Sequence, residues 1–498
     1  MQSRVKAKNI LFITTDQQRQ DTLPAYGMDF MQTPAFDRLA QSGVVFDNCV
    51  AVAPVCQPCR AAFMSGQFPH VNGVPANFRW LRPGTPTIAR SFRDAGWQTA
   101  GIGKMHFDPW DNPEGFQDRV IAEDKRHFFR PDHYTRFLES IGYRRDHPAF
   151  VGEYGQQLGA FVSPLPTELH MESFIGNEAV RWIENSGDQP FFCWVSFNSP
   201  HDPYDPPAEL AALYKDAPIP KPVGSPAELE GKPAYQSSII PFFRDNLLYL
   251  TDYSTLDADS IRRMREYYLA TVTLVDRQVG RILDALERRG ALDETLIVFS
   301  SDHGDHLGDH GLPFKNTYYE SALKVPLIVS GPGVARGRRC RSFVDWIDLH
   351  RTFLELGGLS VGDHVQGNDI SGEFADPDSG DTAGRREGYS ELLGSAMVCT
   401  QRHKLVLCDD GDGELYDLDE KPLEVHNHFR DPAYKDVRDQ LTERLMTHLL
   451  ANSRAGRFGG GPHPSDAQRD ATFREIRERL DGAGFPGLEA RKNSRNSG

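Results

Sequence analysis

Short, unbroken apolar runs punctuate the chain at residues 10–14, 99–102, 191–197, 296–300 and 325–329. Runs of this length without alternation are what strands buried on both faces of a parallel sheet present. Helical periodicity separates them. It is clearest over residues 267–289, where Leu269, Val272, Val275, Val279, Ile282, Leu283 and Leu286 share one stripe and Gly290 supplies a stop. That helix feeds directly into the strand LIVFSS. Repeated helix–turn–strand order predicts an α/β fold, a mostly parallel sheet with helices on both faces.

Two stretches, 107–169 and 203–260, lack clean periodicity and are rich in Pro, Asp, Tyr and Phe. They read as long loop insertions over the sheet, where substrate selectivity usually resides. After about residue 380 the texture changes. SAMVCT, HKLVLCDD and ELYDL alternate and are separated by turn signals such as DDGDG, so they predict a smaller antiparallel sheet, with a helix around 437–450 to cover it. From residue 455 GRFGGGPHPSD reads as a linker followed by a polar tail. The expected organisation is a catalytic unit over 1–380, a C-terminal subdomain over 381–455, and a tail over 456–498 that offers a homo-oligomer contact.

Composition narrows the picture. Of 498 residues 39% are hydrophobic and 25% charged, which suits a globular chain with a sizeable core and excludes disordered, collagen-like and coiled-coil classes. The net charge of −15 repels nucleic acid and anionic lipid, so neither is expected as a partner. An anionic substrate has to be drawn in by a local cluster of cations. No stretch approaches the roughly 20 apolar residues of a spanning helix, and MQSRVKAK-NILFITT lacks a secretory cleavage site, which together predict a cytoplasmic protein. Seven cysteines are too few and too uneven for a disulfide framework, and Cys193 and Cys408 sit in apolar runs as packing residues.

The reactive residues fall just past the apolar runs. NILFITT leads into Asp16-Gln17, TAGI into Gly103-Lys104-Met105-His106, FFCWVSFNSP into His201, and LIVFSS into Asp302-His303. In open α/β sheets ligands bind beyond the carboxyl ends of the strands, so these four groups are expected at one mouth. Asp16, Gln17, Asp302 and His303 offer two carboxylates, an amide oxygen and an imidazole. That set suits Ca2+ first and, because of the imidazole, Mn2+ second, with Mg2+ behind them. Taken singly, each aspartate reads equally well as a helix cap. The further Asp305, His306, Asp309 and His310 of DHGDHLGDHG read as a polar loop.

VCQPCRAAFMSGQ places Cys56 at the start of a helix, Pro58 in its first turn and Arg60 one turn beyond Cys56 on the same face. A helix N-terminus favours anions, so residue 56 is expected to face a negatively charged substrate with Arg60 beside it. Three chemistries share this string: a Cys56/Cys59 redox dithiol, half of a zinc site, and a catalytic Cys-x-Pro-x-Arg.

Cys-x-Pro-x-Arg followed by AAFMSGQ resembles the signature of the type I sulfatases of the alkaline phosphatase superfamily, in which the cysteine is oxidised after translation to Cα-formylglycine. NILFITTDQ is similar to that family's opening metal-binding strand, GKMHF to its Gly-Lys-x-His segment, and NSPHDPYDPP to its histidine segment. SSDHGDHLGDHG with FKNTYYE is similar to the second metal pair and the following lysine, and ELYDL to a recurring C-terminal segment. The resemblance covers most of residues 9–420 in the family's order. Two positions depart from it: Cys59 stands where serine is usual, and Asp16-Gln17 replaces a pair of aspartates. Gln17 with His303 looks more like the choline-sulfatase and phosphonate monoester hydrolase members.

The resemblance implies an alkaline-phosphatase-like fold, sulfate ester hydrolysis, and one divalent metal on Asp16, Gln17, residue 56, Asp302 and His303. Residue 56, as the hydrated aldehyde, would attack sulfur while Lys104, Lys315 and Arg60 neutralise the sulfuryl oxygens. His201 and Lys315 would serve the departing oxygen. His106 would deprotonate the second hydroxyl of residue 56 and so expel sulfate, and Asn77 would line the substrate pocket. A formylglycine-generating enzyme is the implied maturation partner. Phosphonate monoester or phosphodiester hydrolysis is the alternative within the same fold; a Cys56/Cys59 oxidoreductase and a non-catalytic metal-binding protein are the alternatives outside it.

Overall fold

Eight strands form the main sheet: β1 (Asn9–Asp16), β2 (Gly43–Cys49), β3 (Gln98–Gly103), β4 (Asp118–Ile121), β5 (Phe191–Pro200), β6 (Thr295–Ser301), β7 (Leu327–Ser330) and β8 (Arg338–Val344), in the order β4–β3–β5–β1–β6–β7–β2–β8. The computed structural model describes residues 5–150, 154–245, 249, 251–379 and 384–453, with the single positions 474 and 478. The unit boundary expected at 380/381 and nearly all of the 456–498 tail, with its expected oligomer contact, lie outside the described residues.

β1 runs parallel to both neighbours, Ile10 pairing with Phe192 of β5 and with Leu296 of β6. Because successive side chains point to opposite faces, Leu11, Ile13 and Val195 enter one core with the helices Met171–Asn185 and Ala258–Arg288. Ile10, Phe12 and Trp194 enter the other with the helices Cys56–Ser65 and Trp346–Leu356. The sheet is therefore covered on both faces, as its unbroken apolar strands require.

One expected strand differs in direction. The run at 325–329 contributes β7, which is antiparallel to both β6 and β2. The connection from β6 carries only short helical turns, at Asp309–Gly311 and Glu320–Leu323, and no crossover helix spans the sheet. The chain therefore re-enters from the end it left. The long helix begins at Ala258 rather than near 267, because Ile261 and Met264 extend its buried stripe through a polar stretch. Asp257 caps it, accepting from the Ser260 N–H at 2.8 Å while the Ser260 hydroxyl accepts from the Asp257 N–H at 2.9 Å. The helix ends before Gly290, whose φ of +72° few other residues adopt.

The C-terminal sheet is antiparallel throughout: β9 (Gly388–Leu392), β10 (Ser395–Cys399), β11 (His403–Cys408) and β12 (Gly413–Asp417), in the order β12–β11–β10–β9. Leu441 and Leu445 of the helix Lys435–Asn452 pack on Val398, Leu405 and Leu415. No disulfide joins any of the seven cysteines, all of which are among the described residues. No helix among the described residues is long and apolar enough to cross a membrane.

Burial pulls His350 down to about 4, and burial with Arg385 pulls His448 down to about 3. Both are neutral when folded at neutral pH and take up protons on unfolding below the ordinary histidine value of about 6.5. Their contribution is complete above that value and falls as pH drops through it. The slope approaches about 1.4 kcal/mol per pH unit for each histidine. Urea unfolding at a series of pH values should therefore give a midpoint that declines from pH ~6.5 toward pH ~4; a flat profile contradicts it.

Candidate active site

Four adjacent strands, β3, β5, β1 and β6, carry at their carboxyl ends the groups singled out in the sequence. β1 closes on Asp16, and the chain turns at Gln17 with a left-handed φ of 68°. Asp302 and His303 follow β6, His201 follows β5, and Lys104 and His106 follow β3. Facing them, the helix Cys56–Ser65 begins at Cys56 itself, which is 1% exposed. The four junctions thus open on one buried site.

Asp16, Cys56, Asp302 and His303 each offer an atom to a cluster in which all lie within 4.8 Å of one another. Cys56 Sγ is 3.1 Å from His303 Nε2 and 3.6 Å from Asp16 Oδ1. His303 Nδ1 lies 2.9 Å from the Gly304 carbonyl, which orients the ring and turns Nε2 into the cluster. The donor set fits a divalent cation: two carboxylates and one oriented imidazole converge with no proton needed on any of them.

Arg60 departs from its expected place. It is fully buried, and it donates from Nε to Asp302 Oδ2 at 2.8 Å and from Nη2 to Asp16 Oδ2 at 3.2 Å. Its Nη1 donates to the Lys104 carbonyl at 2.6 Å and to Ser196 Oγ at 2.9 Å. With four donations spent on the protein, Arg60 holds the outer oxygens of both aspartates and leaves their Oδ1 atoms toward Cys56 and His303. It positions the cluster rather than reaching substrate.

Lys104 is fully buried, 2.8 Å from Asp16 Oδ2 and 3.3 Å from Asp124 Oδ2. Burial alone would raise Asp16, but Lys104, Arg60 and Lys315 hold it well below the usual carboxylate range. Lys315 Nζ lies 3.1 Å from Cys56 Sγ and also donates to the Gln17 amide oxygen. Gln17 Nε2 in turn donates to Asp305 at 2.6 Å, so the glutamine borders the cluster with its oxygen on Lys315. His201 is buried, its Nδ1 2.8 Å from the Asp202 carbonyl and its Nε2 3.9 Å from Asp16. Burial and the nearby lysines keep both His106 and His201 neutral, well below the usual histidine range. Asn77 accepts from the Gln57 N–H at 3.0 Å, capping the start of the cysteine helix, and lines a cavity of about 490 Å³ with His106 and Lys315.

Burial and then Asp16 push the Cys56 thiol up to about 12, and Cys59 rises as well. A redox dithiol needs the opposite shift.

The insertions supply what sequence periodicity did not reveal. Asp124 ties Lys104 to Arg126, which holds it at 2.6 Å and places its guanidinium 4.1 Å over the Tyr249 ring. Asp124, Arg126 and His127 come from the first insertion and Tyr249 from the second, and all four line the cavity. The dense ionisable string EDKRH in an otherwise aromatic stretch was the available signal. Asp305, read as part of a polar loop, fixes Gln17 and accepts from Tyr204 at 2.7 Å.

A cysteine at a helix N-terminus, a buried carboxylate–imidazole cluster and flanking lysines on an alkaline-phosphatase-like fold are an arrangement that suits metal-assisted ester hydrolysis. The sulfatase family model matches residues 8–359, and a second, described as N-sulphoglucosamine sulphohydrolase, C-terminal, matches 308–450. The chain belongs to the sulfatase family, and its activity is that of a sulfuric ester hydrolase. A choline-sulfatase of Rhizobium meliloti is 29% identical over 96% of this chain and 92% of its own. A multifunctional alkaline phosphatase superfamily protein of Trinickia caryophylli is 31% identical over 89% and 95% respectively. The phosphonate monoester hydrolase of Agrobacterium radiobacter superposes with a TM-score of 0.78 at 25% identity, covering 89% of this chain and 96% of that one.

Proposed function

We propose that the chain hydrolyses sulfate monoesters with residue 56 in the Cα-formylglycine form, made from Cys56 by a formylglycine-generating enzyme. A divalent cation, Ca2+ ahead of Mn2+, would be held by Asp16, Gln17, residue 56, Asp302 and His303. The observation that carries this reading is the buried cluster of Asp16, Cys56, Asp302 and His303 within 4.8 Å, on a helix start bordered by Lys315. The ion's charge would acidify a hydroxyl of hydrated residue 56 and offset the sulfuryl oxygens.

The chain's own residues do the rest. Lys315, beside residue 56, and Lys104, beside Asp16, are fixed cations preorganised for the charge that redistributes in the transition state. Arg60 acts behind them by holding Asp16 and Asp302 in place. Lys315 has a proton to give the departing oxygen, whereas neutral His201 directs its one N–H to the Asp202 carbonyl and would serve that oxygen only when protonated at Nε2. His106, neutral in its buried setting, accepts the proton from residue 56 that sulfate release requires. Asn77 fixes the first turn from which residue 56 projects.

A second reading, phosphonate monoester or phosphodiester hydrolysis at the same residues, is favoured by Gln17 with His303, the pair that resembles the phosphonate monoester hydrolase members, and by the likeness to the Agrobacterium radiobacter enzyme; those esters carry one negative charge, as a sulfate monoester does. Lys104 and His106 weigh toward sulfate. Turnover of nitrophenyl sulfate is expected to exceed that of a phenyl phosphonate monoester in kcat/KM; the reverse order overturns the sulfate assignment.

A further inference from the structure

We propose that Phe242 and Leu393 form the outer wall of a leaving-group subsite that selects an uncharged, apolar alcohol longer than a single ring. This rests on the sulfate ester reading above and concerns only the half of the ester that departs.

The cavity over residue 56 is closed by apolar side chains from three separate parts of the chain. The loop after the cysteine helix gives Phe78. The second insertion gives Ile239, Phe242 and Phe243 from the helix Ile239–Asp245, followed by Tyr249. The C-terminal sheet gives Leu393, in the tight turn between β9 and β10. Deep in the cavity Phe243 and Tyr249 are buried with ring centroids 4.7 Å apart, and both pack on Phe314. At the rim Phe242 is 54% and Leu393 73% exposed. Large apolar side chains left in water together at the mouth of a cavity mark a surface that a ligand covers.

Charge excludes the other alcohols. Among the described lining residues the one carboxylate is Asp124, already paired with Lys104 and Arg126. A quaternary ammonium would meet Lys315 and Arg126 with no free anion to offset them, and of the aromatic rings that line the cavity Tyr249 already carries the Arg126 guanidinium. A sugar would bring several hydroxyl groups against Phe242, Phe243, Ile239 and Leu393, which offer them no partner, and would leave them to the polar part of the wall at Tyr235, Ser238, Asn316 and Ser395. The cavity of about 490 Å³ is more than a single ring fills, so the alcohol that suits it has a far end that reaches Phe242 and Leu393.

The test compares octylphenyl, nitrophenyl, choline and glucose sulfates on the metal-loaded, formylglycine-bearing enzyme and on the Phe242→Ser, Leu393→Ser and double variants. Both positions are exposed, so the variants should fold; Met446→Ser, an exposed apolar position on the C-terminal helix, serves as control. Octylphenyl sulfate is expected to give the highest kcat/KM. Its advantage over nitrophenyl sulfate should fall about tenfold to a hundredfold in the double variant and stay unchanged in the control. An unchanged ratio in the double variant, or a preference for choline or glucose sulfate, overturns the subsite while leaving sulfate hydrolysis intact. Failure to hydrolyse all four esters would instead count against the reading on which it rests.

Discussion

Replacing Cys56 by serine is expected to stop steady-state sulfate ester turnover, by at least about ten-thousandfold, without unfolding the protein. Serine nearly matches cysteine in size, and the neighbours of residue 56 are polar, so the buried site tolerates it. The hydroxyl retains one oxygen for attack on sulfur, but the carbon carries no second one from which a sulfate ester can collapse. A variant that releases a single equivalent of alcohol and then stalls, with sulfate remaining on the introduced hydroxyl by peptide mass spectrometry, is the expected signature. In active wild-type protein the same peptide should have exchanged sulfur for oxygen and lost two hydrogens. Because Cys56, Cys59 and Arg60 are all 1% exposed or less, the oxidation has to precede folding, so adding a modifying enzyme to folded, unmodified protein should not restore activity. Cys59→Ser separates this chemistry from a dithiol: it leaves turnover largely intact here and abolishes it if the two thiols act as a redox pair. Fully active protein with an unaltered thiol at position 56 sinks the mechanism.

Why so much of this site was legible in the sequence can be traced to particular residues. Asp16, Lys104, His201 and Asp302 each follow a strand whose side chains are buried on both faces, and such strands leave an unbroken apolar mark. Their convergence then follows from parallel topology, since all four strands end on the same side. β2, β4 and β8 left no such mark. β8 carries three arginines, β4 is four residues long, and the apolar part of β2 is broken by Asp47-Asn48. The partners of Arg60 were illegible for a related reason. Helical spacing puts it on the face of Cys56, yet spacing says nothing about which partners compete for a guanidinium, and two aspartates from distant strands take it. Asp124, Arg126 and Tyr249 were out of reach because their positions depend on how two aperiodic insertions, far apart in the chain, fold against each other.

Stripping divalent cations with a chelator is expected to abolish activity, by about a thousandfold or more, while leaving the protein folded. The charge arrangement argues for both halves of that outcome. Asp16 and Asp302 are buried carboxylates that would destabilise a site without cations, but Arg60 contacts both and Lys104 contacts Asp16, so the stripped cluster is already substantially neutralised. The loss should therefore be reversible, and Ca2+, then Mn2+, should raise the thermal midpoint as well as restore turnover. At a hundredfold excess over the dissociation constant the linkage is worth about 2.7 kcal/mol, enough to read as a shift of a few degrees. Asp302→Asn should remove the cation-dependent shift and leave a folded protein, since Arg60 keeps Asp16 as a partner. Arg60→Met should act the other way, costing about 3–5 kcal/mol because it strands the buried Asp302 carboxylate and leaves Asp16 to Lys104 alone, with part of that loss recovered when the cation is present. A thermal midpoint indifferent to Ca2+ and Mn2+ in the wild-type protein would mean that Arg60 and Lys104 are the only counter-charges these carboxylates have, and that no ion acts at residue 56.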